Sequence, residues 1–314
     1  MEIIKTDYKL SSTENALLTG YLWSSKENMP DSEAKDPKAV ILLCHGMAEY
    51  IDRYNPFANF LVENGFVVYG FNHRGHKGSI LTDEDYGYMS DQDNFDAMLT
   101  DIDGEVELAE SEYPGKDIFI FGHSMGSFIT QRYIELHPNK VKGAIVCGTG
   151  MSPKGILGLG RFFAKCIMNS KGRRHRSKFI NGMAFGSYNN KFEKRTEYDW
   201  LNRKQEEVDK YIADKYCGGI FTVSFFYDFF GCLKAIQENF ELIPKELPIL
   251  LISGSMDPVG GYSKQVKNLY NKLKKIGIND IDMILYQNAR HEILMEIDHE
   301  QTFKDVLGWL EKHL

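Results

Sequence analysis

Cysteine is scarce in this 314-residue sequence and forms no framework. Cys44, Cys147, Cys166, Cys217 and Cys232 are odd in number and scattered, with no CxxC spacing. That excludes a disulfide-stapled scaffold and suits reduced thiols in a cytoplasmic setting. Long apolar runs are missing too. No window approaches the ~18 apolar residues of a membrane span, so any membrane contact would be peripheral. The opening stretch "MEIIKTDYKLSSTENALL" lacks a basic segment followed by an apolar one, and no signal peptide is expected. Positive charge is also in deficit: a formal net charge of −7 argues against a general nucleic-acid binder. No internal repeat or low-complexity linker divides the chain.

What remains is an ordinary globular composition, 43% hydrophobic and 26% charged, long enough for one large domain or two smaller ones. Residues 2–9 and 15–23 read as an antiparallel pair around "SSTEN". Six short apolar runs follow: "KAVILLCHG" (38–46), "FVVYGFN" (66–72), "DIFIFGH" (117–123), "GAIVCG" (143–148), "LPILLISG" (247–254) and "IDMILYQ" (281–287). Runs of this kind suit strands buried on both faces of a parallel sheet. Helical spacing fills the gaps at 53–65, 92–115, 262–277 and 301–314. Strands alternating with helices predict an α/β fold. Between about 151 and 240 the alternation stops. Helical patterns, the basic run "KGRRHRSK" (171–178) and an aromatic-dense segment predict a helical insertion between strands of the same sheet.

The chemistry centres on "FIFGHSMGSFIT", residues 119–130. An apolar strand stops at Gly122, one serine follows, and a helix begins. Gly122-His123-Ser124-Met125-Gly126 is a Gly-x-Ser-x-Gly turn in strand–turn–helix context, which exposes a serine Oγ at the C-terminal edge of the sheet. An alkyl hydroxyl is a poor nucleophile at neutral pH and needs a base oriented by an acid. Asp257 follows "LPILLISG", and His291 follows "IDMILYQ". Both should emerge on the same sheet edge as Ser124. Asp228, in the insertion, is the second candidate for the acid. An oxyanion hole also needs backbone N–H donors, each worth ~3–4 kcal/mol. Met125 supplies one candidate. Met47 supplies the other, after Gly46 lets the chain turn.

The stretches "HGMAEYIDRY", "FNHRGHKGS", "GHSMG", "SGSMDPV" and "ARHEIL" occur in the order found in α/β-hydrolases. The chain resembles the monoacylglycerol lipase and lysophospholipase group, which also contains serine aminopeptidases of the S33 type. The resemblance covers nearly the whole chain. It implies a mostly parallel eight-stranded sheet flanked by helices, with a core at 1–150 and 241–314 and a helical cap at 151–240, between strands 6 and 7. It further implies a cofactor-free serine ester hydrolase with Ser124 as nucleophile, His291 as base, Asp257 as orienting acid, and Met47 and Met125 at the oxyanion positions. Glu49 and Arg53 match a charged pair that braces the oxyanion loop. Asn72 and Lys77 depart from the family pattern of Asp before the "HRGHG" motif and Gly within it, and should alter that bracing. Amide hydrolysis, or a ligand-binding role without catalysis, are the alternatives on this fold.

The aromatic segment "FTVSFFYDFF" (221–230) raises the substrate question. Phe221, Phe225, Phe226 and Phe229 are candidates to line an apolar acyl pocket, and the rest would pack the cap onto the core. The expected substrate is a small-molecule or lipid ester. "ILGLGRFFAKCIM" can form an amphipathic helix that meets a lipid surface. The basic run 171–178 can attract an anionic surface, although such runs are usually solvated faces or mobile loops. Neither the histidines of "HRGHKGS" nor the cysteines have metal-ligand spacing, so no metal is expected.

Overall fold

The computed structural model describes residues 2–314. Its strands are β1 (Ile3–Ser11), β2 (Leu17–Ser25), β3 (Val40–Cys44), β4 (Val67–Phe71), β5 (Ile118–His123), β6 (Gly143–Cys147), β7 (Ile249–Gly254) and β8 (Ile281–Tyr286). They form one sheet in the order β1-β2-β4-β3-β5-β6-β7-β8. The β1–β2 and β2–β4 pairs are antiparallel and the others parallel. The α-helices are α1 (Asn55–Glu63), α2 (Asn94–Glu112), α3 (Met125–Leu136), α4 (Lys154–Lys171), α5 (Lys178–Phe185), α6 (Gln205–Ala213), α7 (Val223–Asn239), α8 (Lys264–Lys275) and α9 (His299–Lys312).

The central strands alternate by side chain, not by exposure. In β3, Val40, Leu42 and Cys44 join a core with α2, α3, α7 and α8, while Ile41 and Leu43 join a second core with α1 and α9. Burial on both faces is why these strands read as continuous apolar runs. β8 departs from that reading. It is an edge strand and most of its residues are only half-buried.

The first two strands lie about two residues later than their apolar pattern predicts. A 3-10 turn at Thr13–Asn15, with Glu14 and Asn15 at positive φ, reverses the chain. α2 starts at Asn94 because the Asp93 carboxylate accepts from the amides of Phe95 and Asp96, satisfying donors that have no partner within the helix.

All of α4 to α7 lie between β6 and β7. α7 packs on α2, α3 and α4. The contact with α4 is close: a Cβ at Gly160 would come within 2.9 Å of the Phe230 ring. The basic run is a largely exposed face, but it is tied down. Arg174 pairs with Asp85 at 2.9 Å, Arg176 donates to the carbonyls of Glu84 (2.8 Å) and Tyr86 (2.5 Å), and Arg173 donates to those of Ser90 and Gln92. Carbonyls of the 84–92 loop, which need donors, hold the guanidinium groups at the surface.

Candidate active site

The turn at Ser124 is forced by close packing. Ser124 has φ 52 and ψ −117, a sparsely populated backbone state for any residue with a side chain. Its N–H donates to the Cys147 carbonyl at 2.9 Å, which ties the turn to the end of β6. A Cβ on Gly122 would lie 2.3 Å from the Gly126 carbonyl oxygen, and one on Gly126 would lie 2.1 Å from that of Cys44. Only glycine allows helix α3 to approach the strands this closely. The serine is left partly exposed at the C-terminal sheet edge.

Asp257 and His291 come from the loops after β7 and β8 and meet at that edge. His291 Nδ1 lies 3.0 Å from Asp257 Oδ2. The carboxylate is itself fixed, since Oδ1 accepts from Val259 N–H at 2.8 Å and Oδ2 from Ser253 Oγ at 3.3 Å. Asp257 is wholly buried and His291 nearly so. The imidazole packs between Trp200 and His123, with ring centroids 5.1 and 4.7 Å away. A carboxylate on Nδ1 fixes the tautomer that leaves Nε2 as the basic nitrogen. Ser124, His291 and Met47 line one cavity of about 700 Å³. Met125 is buried directly behind Ser124 as the first residue of α3.

The loop after β3, which carries Met47, is braced by a buried charged cluster. Glu49 Oε1 accepts from Gly46 N–H (2.7 Å), the Tyr54 hydroxyl (2.8 Å) and His123 Nδ1 (3.1 Å). Arg53 Nη1 reaches Glu49 Oε2 at 2.9 Å and Glu292 Oε1 at 2.6 Å. A Cβ on Gly46 would sit 2.5 Å from Glu49 Oε1 and 3.1 Å from Ser124 Cβ, so the loop lies against the serine. Burial alone would raise Glu49, but the His123 hydrogen bond and the Arg53 charge outweigh it and hold the carboxyl well below its usual range. Burial likewise opposes protonation of His123. The bond and charge of Glu49, with Glu292 nearby, reverse that and raise it.

Behind the loop, burial lowers His45 to about 4 and His76 to about 3. Both therefore act as neutral acceptors, His45 Nε2 from His73 N–H at 2.9 Å and His76 Nε2 from Ala48 N–H at 3.3 Å. Asn72, at the family's usual Asp position, still braces the loop, since its Oδ1 accepts from Ile51 N–H at 2.9 Å. Lys77 lies over the Tyr50 ring, 3.7 Å from its centroid.

The predicted aromatic lining is elsewhere. Phe221, Phe225, Phe226 and Phe229 do not line the cavity at Ser124. They are buried where α7 meets the core. Phe225 and Phe229 stack on each other and pack against Phe95, and Phe229 meets Phe128. Phe221 packs against His76 and Tyr86, and Phe226 stands behind Phe185. The wall is built instead by Phe185, Tyr198, Trp200 and Tyr211, with Asn181, Asn189 and Thr196 supplying polar groups. Asp228 is also remote from the histidine. Its carboxylate accepts from the Asn94 amide at 3.1 Å and from the Asn94 side chain, capping α2. Glu292, Tyr54 and His123 were not singled out from the sequence. His123 occupies a variable position of the serine motif, and Glu292 directly follows His291, which is the only linear signal either carried.

Known proteins share this fold. The family model for serine aminopeptidase, S33, matches residues 35–298. The monoacylglycerol lipase of Mycolicibacterium smegmatis is 23% identical over 284 residues, covering 89% of this chain and 90% of its own. The monoglyceride lipase of Mus musculus is 24% identical over 291 residues, covering 88% and 84%. A carboxyl esterase from Bacillus coagulans, solved in complex with glycerol, superposes with a TM-score of 0.86 at 23% identity, covering 98% of this chain and 99% of that one.

Proposed function

The chain belongs to the serine aminopeptidase S33 family of α/β-hydrolases, and from that premise we propose that it is a serine hydrolase of carboxylic esters. Ser124 Oγ attacks the ester carbonyl carbon while His291 Nε2 takes the hydroxyl proton. The carbonyl oxygen, now anionic, rests on the N–H groups of Met47 and Met125. His291 returns the proton to the departing alcohol as the C–O bond breaks, and water then repeats the sequence on the acyl-enzyme. One observation carries this reading: the Asp257–His291 bond opens on the same cavity as a serine held at φ 52.

Residues 151–240 act as the cap over this site. The mixed wall, with aromatic and amide side chains together, suits an ester with an apolar acyl chain and a polar alcohol, of the monoacylglycerol or lysophospholipid kind. A peptide amino terminus would call for a carboxylate. Glu49 and Glu292 are already paired with Arg53, and Asp228 is turned to α2, which leaves the exposed Glu197. Ester cleavage is therefore the better-supported reading. On the outer side of the cap, Ile156, Leu159 and Phe162 of α4 and Phe179 and Met183 of α5 are exposed, with Lys165, Lys171 and Lys178 beside them in sequence. This face would rest on a lipid surface that presents the substrate. No helix among the described residues is long and apolar enough to cross a membrane. The five free thiols support a cytoplasmic setting.

A fluorophosphonate probe should label Ser124. Ser124→Ala should abolish labelling and lower turnover of monoacylglycerols and p-nitrophenyl esters by several powers of ten, on the order of other triad losses. Undiminished turnover in that variant would reject the mechanism.

A further inference from the structure

The loop that carries Met47 is held by the core on one side and by the segment between β6 and β7 on the other. Ala48 has φ 57, in the left-handed region where the Cβ of an alanine crowds its own backbone. Its N–H faces the core and His76. Its carbonyl oxygen accepts two hydrogen bonds from the opposite side, one from the Tyr211 hydroxyl at 3.0 Å and one from Gly218 N–H at 3.1 Å.

Both donors are themselves located by neighbours. Tyr211 projects from α6 and is buried. The Arg53 guanidinium lies 5.1 Å from its ring centroid, and Arg53 is the cation that pairs with Glu49. Gly218 has φ 71, and a Cβ there would lie 2.8 Å from the Tyr198 hydroxyl. That hydroxyl donates to the Gly218 carbonyl at 2.9 Å, and the Tyr198 and Tyr211 rings are 5.2 Å apart. Tyr198, Tyr211, Gly218 and Ala48 all line the cavity at Ser124.

Resting on the ester-hydrolase reading, we propose that Tyr211 is a positioning residue for the oxyanion hole. With Gly218 N–H, its hydroxyl keeps Ala48 in the left-handed conformation that aims Met47 N–H at the reacting oxygen. The strained torsion lies inside the short loop that the Glu49 carboxylate closes by its bond to Gly46 N–H. Rotation at Ala48 is therefore passed to Met47 rather than absorbed along the chain. The hole is complete when this part of the cap is seated, so that catalytic competence is coupled to closure over substrate.

The test compares wild type, Ser124→Ala, Tyr211→Phe and Tyr211→Phe/Ala48→Gly on p-nitrophenyl acetate, with thermal melts to establish folding. A trifluoromethyl ketone is measured in parallel, because addition of Ser124 Oγ to its carbonyl carbon gives a hemiketal whose anionic oxygen occupies the hole. Loss of one hydrogen bond that acts through Ala48 should lower kcat roughly tenfold, with KM changed less than about twofold. Affinity for the ketone should fall by a similar factor. Ala48→Gly should recover part of both losses, because glycine adopts a left-handed φ without strain. Unchanged kcat and ketone affinity in a folded Tyr211→Phe would overturn the proposal. So would a higher KM with kcat intact, which is the mark of simple substrate contact, or a loss that Ala48→Gly does not relieve. A wild type without ester turnover, or one whose turnover survives Ser124→Ala, would instead reject the underlying reading before any Tyr211 variant is considered.

Discussion

Asp257 uses its two oxygens differently, and the division has a mechanistic consequence. Oδ1 is held by Val259 N–H and Oδ2 faces His291 Nδ1. In Asp257→Asn the amide oxygen can keep the backbone bond, which turns the NH₂ toward Nδ1. The imidazole must then carry its proton on Nε2, where it cannot accept one from Ser124. We expect kcat to fall on the order of 10⁴-fold with folding preserved, as for other triads that acquire the wrong tautomer. Asp228→Asn should leave kcat within about twofold, because the side chain caps α2 and one retained oxygen still accepts from Asn94. Steady-state kinetics on both variants decides the acid; the reverse pattern would move it to Asp228. The meeting of Asp257 and His291 near Ser124 was legible because parallel strands deliver their C-terminal ends to one edge, and each residue lies within four positions of the end of an apolar run. The roles of His123 and Glu292 were not legible. The partner of His123, Glu49, lies 74 residues away in sequence and that of Glu292, Arg53, lies 239 away, and no local spacing records that the last side chain of β5 points at the loop after β3.

The same difference between local and distant information governs the elements. Strands and helices with a strong period were legible to within a few residues. The cavity wall was not, because much of it comes from the irregular stretch between α5 and α6, where no period exists to read. Aromatic density on α7 signalled burial correctly but could not say against which surface, and α2 and α3 claimed it. The basic run shows the converse. Its charge signalled solvent exposure correctly but not that residues 173–176 are fastened, to the 84–92 loop by guanidinium–carbonyl bonds and to Thr222 by a backbone bridge from Arg176. Removing Arg176 leaves the Glu84 and Tyr86 carbonyls without that donor, at a cost of about 1 kcal/mol. In Arg176→Ala, amide hydrogen exchange should therefore quicken by roughly fivefold across 172–178 and 84–92, while the amides of β5 keep their protection. Unchanged exchange at both segments would mean that the bridge and Thr222 seat this part of the insertion without the arginine.

Across the whole molecule, buried ionisable groups set opposing slopes of stability with pH. His45, His73 and His76 are all lowered by burial, to about 4 for His45 and about 3 for His76. The unfolded chain takes up protons below about 6.5 that these native residues refuse, so stability falls on acidification through that range. Glu105 acts in the other direction. It is fully buried on α2 and burial raises it to about 8, opposed only by its hydrogen bond from Tyr8. The groups around it, Tyr8, Cys44 and Tyr69, are neutral, and each is itself raised. Between the usual carboxylate range and about pH 8 the native state keeps a proton that the unfolded chain has lost. The stability this contributes is present at acidic pH and is lost as pH rises toward 8. Glu135, also raised to about 8 by burial, adds to this slope, as does His123 on losing its proton. Stability should therefore peak near about pH 6 and decline toward 8. Glu105→Gln isolates one contributor, since the neutral amide can still accept from Tyr8 and has no proton to lose. From pH 6.5 to 8 the wild type should lose roughly 2 kcal/mol more than this variant. Urea unfolding at fixed ionic strength over pH 5 to 9 measures the difference directly. Parallel curves for the two proteins would show that Glu105 is ionised in the native state at neutral pH, and that β1 is joined to α2 by a charged bond rather than a neutral one.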